Sequence, residues 1–118
     1  MDYSKLSDFE INGRVARATQ KIGDFTQARG KTLIHDYEDV GEFKNICIGW
    51  KEFDPCNNPA DAWPIIQKSG ISLVYDGDDW LALHFSRPSL TYPNDHRKHP
   101  DKPFRAALIL WLMMQESE

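Results

Sequence analysis

The chain closes on Lys102-Pro103-Phe104-Arg105-Ala106-Ala107-Leu108-Ile109-Leu110-Trp111-Leu112-Met113-Met114-Gln115, and the reading of this stretch decides the fold. Pro103 near its start has no backbone donor to lose in a first turn, which suits a helix over about 102–115. From Ala106 to Met114 the residues are apolar almost all round. Such a helix is buried on more than one side, as the central element of a core or partly in an interface. The apolar run falls well short of the roughly 20 residues that span a bilayer, so no membrane segment is expected.

Upstream lies a proline-framed corner, Phe53-Asp54-Pro55-Cys56-Asn57-Asn58-Pro59-Ala60-Asp61-Ala62-Trp63-Pro64-Ile65-Ile66. Each proline fixes its own φ and restricts the residue before it, so the corner is held in one shape at low entropic cost. Asn58 fits an N-cap, with Pro59 at N1 and Asp61 at N3. The helix it opens should run to about Lys68 and stop at Ser69-Gly70, with a kink or a tight first turn at Pro64. Two readings of Asn57, Asn58, Asp61 and Trp63 stand side by side. In one they cap the helix and satisfy loop backbone, with Trp63 in the core. In the other they form a binding corner, in which Asn57 or Asp61 is free to meet a ligand or a partner protein. Local chemistry alone does not choose.

The remaining signals are local. Ser7 and Glu10 make a capping box, and Leu6 and Ile11 a hydrophobic staple, for a helix over about 8–20. Its inward stripe is expected to be Phe9, Ile11, Val15 and Ala18. Arg14, Arg17 and Lys21 share a face best read as solvated. Residues 22–43 give little beyond a short strand at 32–35. Asn45–Trp50 reads as a strand with Ile46, Ile48 and Trp50 on one face. Strands over 71–75 and 80–85 are joined by Asp76-Gly77-Asp78-Asp79, a strong hairpin signal. Ser86–Pro100 carries three prolines and no apolar period, so residues 86–102 are expected to be a long exposed loop. Together these predict one α+β domain over 1–118. An antiparallel sheet of three to four strands would pack with an N-terminal helix, a short central helix and the buried C-terminal helix.

Charge narrows the partners. The formal net charge of −4 argues against duplex nucleic acid, whose binders are usually basic. Yet Arg87, Arg97, Lys98, Lys102 and Arg105 outweigh Asp95 and Asp101, leaving 86–105 at +3 and the rest at −7. A basic loop on an acidic body offers Arg87, Arg97, Lys98 and Lys102 as contacts for an acidic partner or a phosphate. The N-terminal residues show no basic, then apolar export pattern. Cys47 and Cys56 lack C-x-x-C spacing and read as reduced thiols in a cytosolic protein.

Chemistry-bearing motifs are missing. There is no phosphate loop, dinucleotide fingerprint, nucleophile elbow or His-Glu-x-x-His. Cys47, Cys56, His96 and His99 do not follow zinc spacing, so no metal or cofactor is expected. Asp76, Asp78 and Asp79 are explained by turn formation, and His35 and His84 read as satisfied or exposed side chains rather than ligands.

Three blocks together resemble the phage NinX family: Met1–Asn12, Cys56–Ile66, and Arg105-Ala106-Ala107 with Leu112–Glu116. Because they lie at the start, middle and end, the resemblance implies a shared whole-chain fold. It also implies an accessory protein made in an infected bacterium and acting in the host cytoplasm, and it supplies no catalytic residues. The leading expectation is a non-enzymatic protein that binds a host or phage macromolecule through the 86–102 loop and the 57–63 corner. A small-molecule or nucleotide binder is the alternative, and a metal-dependent hydrolase ranks third. The apolar tail leaves monomer and homodimer both open.

Overall fold

The computed structural model describes residues 3–20, 24–75, 77, 80–87, 90–92 and 102–116. After a single 3-10 turn (Tyr3–Lys5) come α1 (Asp8–Thr19), β1 (Phe25–Ala28), β2 (Lys31–Val40) and β3 (Phe43–Glu52). Then follow α2 (Pro59–Ser69), β4 (Ser72–Tyr75), β5 (Trp80–Leu83), β6 (Thr91–Tyr92) and α3 (Pro103–Glu116). The strands form two antiparallel sheets, β1-β2-β3 and β4-β5-β6. The fold is α+β, as the sequence predicts, with its strands divided between two sheets.

The tail is the centre of the core. Ala107, Leu108, Ile109 and Leu110 are fully buried, and each large aliphatic side chain removed from water contributes about 1.5–3 kcal/mol. α1 and α2 pack against α3, and so do all three strands of the second sheet. Among the described residues no helix is long and apolar enough to cross a membrane.

Helix ends follow the local signals. Ser7 and Glu10 form the capping box of α1. Asn58 caps α2 through Ala60 N–H, and Gly70 closes it in the left-handed conformation, φ 72°. α2 runs continuously through Pro64. The buried face of α1 is Ile11, Asn12, Gly13, Val15 and Ala16. Ala18, expected inside, is exposed, because the i, i+4 pairs 11/15 and 12/16 centre the stripe one residue earlier.

Two further expectations are corrected. Trp63 lies on the surface at 53% exposure, because α2 buries Ala62 and Ile66, which share a face at i, i+4. Thr91–Tyr92, within the span read as loop, pairs with β5 (Ala82↔Tyr92, Leu83↔Thr91), and Tyr92 is buried. Asp76, Asp78, Asp79 and residues 93–101 lie outside the described residues, although Tyr75↔Trp80 pairing confirms the β4–β5 hairpin.

The first sheet departs most from a compact body. Its base packs on α1 through Phe25, Thr32 and Ile34, whereas β3 makes its substantial contacts with β2 alone. Ten-residue strands reach about 33 Å, and the molecule measures 50 × 29 × 28 Å. Its radius of gyration is 15.5 Å, against about 13.5 Å for a compact chain of this length. β2 and β3 form an arm.

Candidate functional site

The proline-framed corner is tied together by side chains from distant parts of the chain. Asn12 donates to Asp54 Oδ1 at 2.8 Å and accepts from Cys56 N–H at 3.2 Å. Asn57 donates to Asp8 Oδ2 at 3.1 Å and to both Asp54 oxygens. Asp61 accepts from Asp54 N–H at 2.9 Å. Asp8 also receives Lys102 Nζ and Arg105 Nη1, each at 2.7 Å, and Arg105 Nη2 reaches the Leu6 carbonyl. The start, middle and end of the chain meet here. At the far end of α3, away from this network, Tyr3 donates to Glu116.

Electrostatics follow from this packing. Burial alone would raise the Asp8 carboxyl, but hydrogen bonds from Lys102, Asn57 and Arg105 outweigh it and hold the group below its ordinary value. Burial pushes the Cys56 thiol up to about 12, assisted by the Asp8 charge. It likewise lifts Tyr3 to about 12, helped by the bond to Glu116.

This network shows where each sequence-named residue spends its polar groups. Asn57 binds Asp8 and Asp54; Asn58 and Asp61 serve backbone N–H groups. Lys102, expected on a free basic loop, is ion-paired to Asp8. Arg87 N–H bonds to the His84 carbonyl. Arg97, Lys98, His96 and His99 lie outside the described residues. Of the corner, Trp63 alone presents a large apolar surface. A small cleft of about 200 Å³ at the corner is lined by Asp8, Asn12, Lys31, Glu52 and Asp54, where Glu52 is paired with Lys31 and Asp8 with Lys102 and Arg105.

His84 is a satisfied structural residue. Its Nδ1 accepts from Ser86 N–H at 3.1 Å, so Nε2 carries the proton and donates to the Ser69 carbonyl at 2.9 Å. It links the end of α2 to the end of β5.

The arm is the opposite case. Tyr37 (50%), Val40 (53%), Phe43 (68%), Ile46 (40%), Ile48 (53%) and Trp50 (46%) are all exposed along it. These exposed aromatic and branched residues are spread over both faces of one ribbon, an amount of bare apolar surface that marks interaction sites. Lys31–Glu52, Lys44–Asp39 and Lys51–Asp36 pair across the strands at 3.7–3.8 Å. Among the described residues Glu38 and Glu42 have no ion-pair partner, so the arm is acidic toward its tip.

A β-bulge arranges the arm's faces. The register runs His35↔Trp50 and Asp36↔Gly49, then shifts to Tyr37↔Cys47. Ile48 is the extra residue, and Gly49 takes φ 140°, a conformation essentially reserved for glycine. Regular alternation would put positions 47 and 50 on opposite faces. The bulge returns both to the face of His35 and Tyr37, and sends Ile46 to the other face opposite Glu38. The expected Ile46/Ile48/Trp50 face is thereby corrected. In the sequence the bulge is marked by Gly49 inside an otherwise alternating strand.

A family model described as Bacteriophage P22, NinX matches residues 2–115. No curated protein and no solved structure matches the chain. The chain belongs to the phage NinX family.

Proposed function

We propose that this NinX-family chain is a phage accessory protein that binds a host or phage protein through the β2–β3 arm, without catalysis of its own, in the host bacterial cytoplasm. The exposed apolar series from Tyr37 to Trp50 carries the reading. A two-stranded ribbon is marginal in water by itself, and a partner that covers it recovers burial worth about 25 cal/mol per Å². Glu38 and Glu42 near the tip call for a partner surface that is apolar with basic neighbours. The corner at Asn57, Asn58 and Asp61 then serves to brace the body that holds the arm.

Affinity capture from infected and uninfected host lysate tests this with the wild-type chain and with Phe43→Ser and Trp50→Ser. The wild type should retain a specific protein that both variants lose while remaining folded. Equal recovery by the variants, or no enrichment by the wild type, overturns the reading.

The small-molecule or nucleotide alternative has one observation in its favour. A cleft of about 530 Å³ between the helices is lined by Thr19, Pro64, Ile65, Lys68 and Trp111, which offers a cation beside an indole. A ligand at 100 times its Kd would add about 2.7 kcal/mol of stability. A thermal-shift screen of nucleotides would show that gain, and its loss in Lys68→Ala, if this reading is the right one.

A further inference from the structure

On the outer face of the arm, His35 Nδ1 lies 3.0 Å from Cys47 Sγ. Cys47 is exposed, and its sulfur is also 3.7 Å from the Gly49 carbonyl. The His35 ring stacks on Trp50, with centroids 4.0 Å apart and planes at 27°, and Tyr37 lies tilted beside it at 6.0 Å. We propose that Cys47 is a nucleophilic thiol, with His35 as its base, that undergoes exchange with disulfides of small thiols.

The geometry meets the requirements of an activated nucleophile: a thiol, a base within hydrogen-bond reach, and a third group that orients the base. Thiolate, not thiol, attacks a disulfide, so a neighbouring imidazole and solvent access decide which cysteine reacts. His35 Nδ1 takes the Cys47 proton as Sγ attacks one sulfur of the incoming disulfide. A new S–S bond forms between Cys47 and that sulfur, and the old S–S bond breaks. The departing sulfur leaves as a thiolate that receives the proton. Cys47 is oxidised and the outgoing thiol is reduced, so the step needs no further reagent.

The chain contains its own control. Cys56 is buried at 2% exposure with its thiol pushed up to about 12, which makes it inert in the folded protein. The site also depends on the bulge, since a regular strand would turn Cys47 away from Trp50. The inference requires no docked partner and stands apart from the binding reading.

The test is intact-mass and peptide mapping of the full chain treated with glutathione disulfide, with rates followed by a chromogenic aromatic disulfide. One adduct should form, on Cys47, and Cys47→Ser should abolish it. His35→Gln should slow the reaction about tenfold near neutral pH, less than the roughly 10²–10⁴ of an enclosed base because water competes. The gap should close in strong base, where any thiol ionises unaided. Trp50→Leu, which removes the stack but keeps the imidazole, should slow it by a smaller factor. An adduct on Cys56 in the folded chain overturns the proposal. So does an unchanged rate in His35→Gln, or a deficit that is the same at every pH.

Discussion

Arg105 Nη1 sits 2.7 Å from Asp8 Oδ1 across 97 residues of sequence, with the Arg105 side chain 6% exposed and that of Asp8 24%. The pair joins the first turn of α1 to the first turn of the central helix. A guanidinium buried this far is tolerable only while its carboxylate and the Leu6 carbonyl remain in place.

Asp8→Ala should therefore destabilise the fold by about 2–4 kcal/mol, somewhat below the cost of breaking a fully buried pair because Asp8 keeps some water contact. Replacement of both partners, Asp8→Ala with Arg105→Met, should recover part of the loss, since no unpaired charge remains. Urea unfolding of the single and double variants measures it. A double variant no more stable than Asp8→Ala contradicts the account.

The lowered Asp8 carboxyl makes stability depend on acid. Its folded value lies below the unfolded one, so its contribution is fully present above the unfolded carboxylate range, near pH 4. It disappears as pH falls through the folded value. Asp8→Asn should be less stable at neutral pH and should show a flatter decline as pH falls below about 4. Thermal melts across that range decide the matter.

Cys56 acts with the opposite sign at high pH. Its thiol is raised from 9.0 to about 12 on folding, so the unfolded chain gives up its proton first. Stability is complete below about pH 9 and falls above it, by roughly 1.4 kcal/mol per pH unit for one proton. Cys56→Ala loses packing at every pH but should show a shallower alkaline slope. Identical slopes in denaturant titrations at pH 9 to 11 would remove Cys56 from the explanation.

Gly13 in α1 should resist replacement despite its poor helix propensity. A Cβ there would meet the Gln27 side chain at 2.5–2.7 Å. That amide donates to the Phe9 carbonyl at 3.0 Å and to Thr32 Oγ1 at 2.9 Å, and Thr32 is buried. Ala gains about 1 kcal/mol of propensity but displaces both bonds, at about 1–3 kcal/mol for the buried group left unsatisfied. Gly13→Ala should be destabilising by about 1 kcal/mol in chemical denaturation. A stabilised variant would mean that Gln27 finds equivalent partners elsewhere.

The arm should open more readily than the body. β3 makes its substantial contacts with β2, and few apolar contacts resist its local separation. Amides of residues 36–48 should exchange with solvent at least about 100-fold faster than those of Leu108–Leu110, which open only with the whole domain. Comparable protection in the free chain would point to an arm already covered, by a second copy for instance.

Much of the fold was legible in short stretches. Ser7 with Glu10, Asn58 with Pro59, and Gly70 each act within one helical turn, so their effect needs nothing remote. Asp76-Gly77 marks a hairpin for the same reason, and a run as apolar as Ala106–Met114 has nowhere to be but inside. Composition and patterning thus determined the helices, the second hairpin and the buried tail.

What only the tertiary structure decided is which polar groups are spent and which apolar ones are left bare. Asn57, Asp61 and Lys102 have the same chemistry whether free or bound; the arrival of Asp8 and Asp54 from elsewhere in the fold is what occupies them. Trp63 looks like a core residue until Ala62 and Ile66 fix which face of α2 turns inward. On the arm, one extra residue at the bulge reverses the side-chain alternation and brings Cys47 beside His35 and Trp50. Local sequence encodes backbone preference within a few residues, whereas burial and pairing are properties of surfaces that meet only when the whole chain has folded.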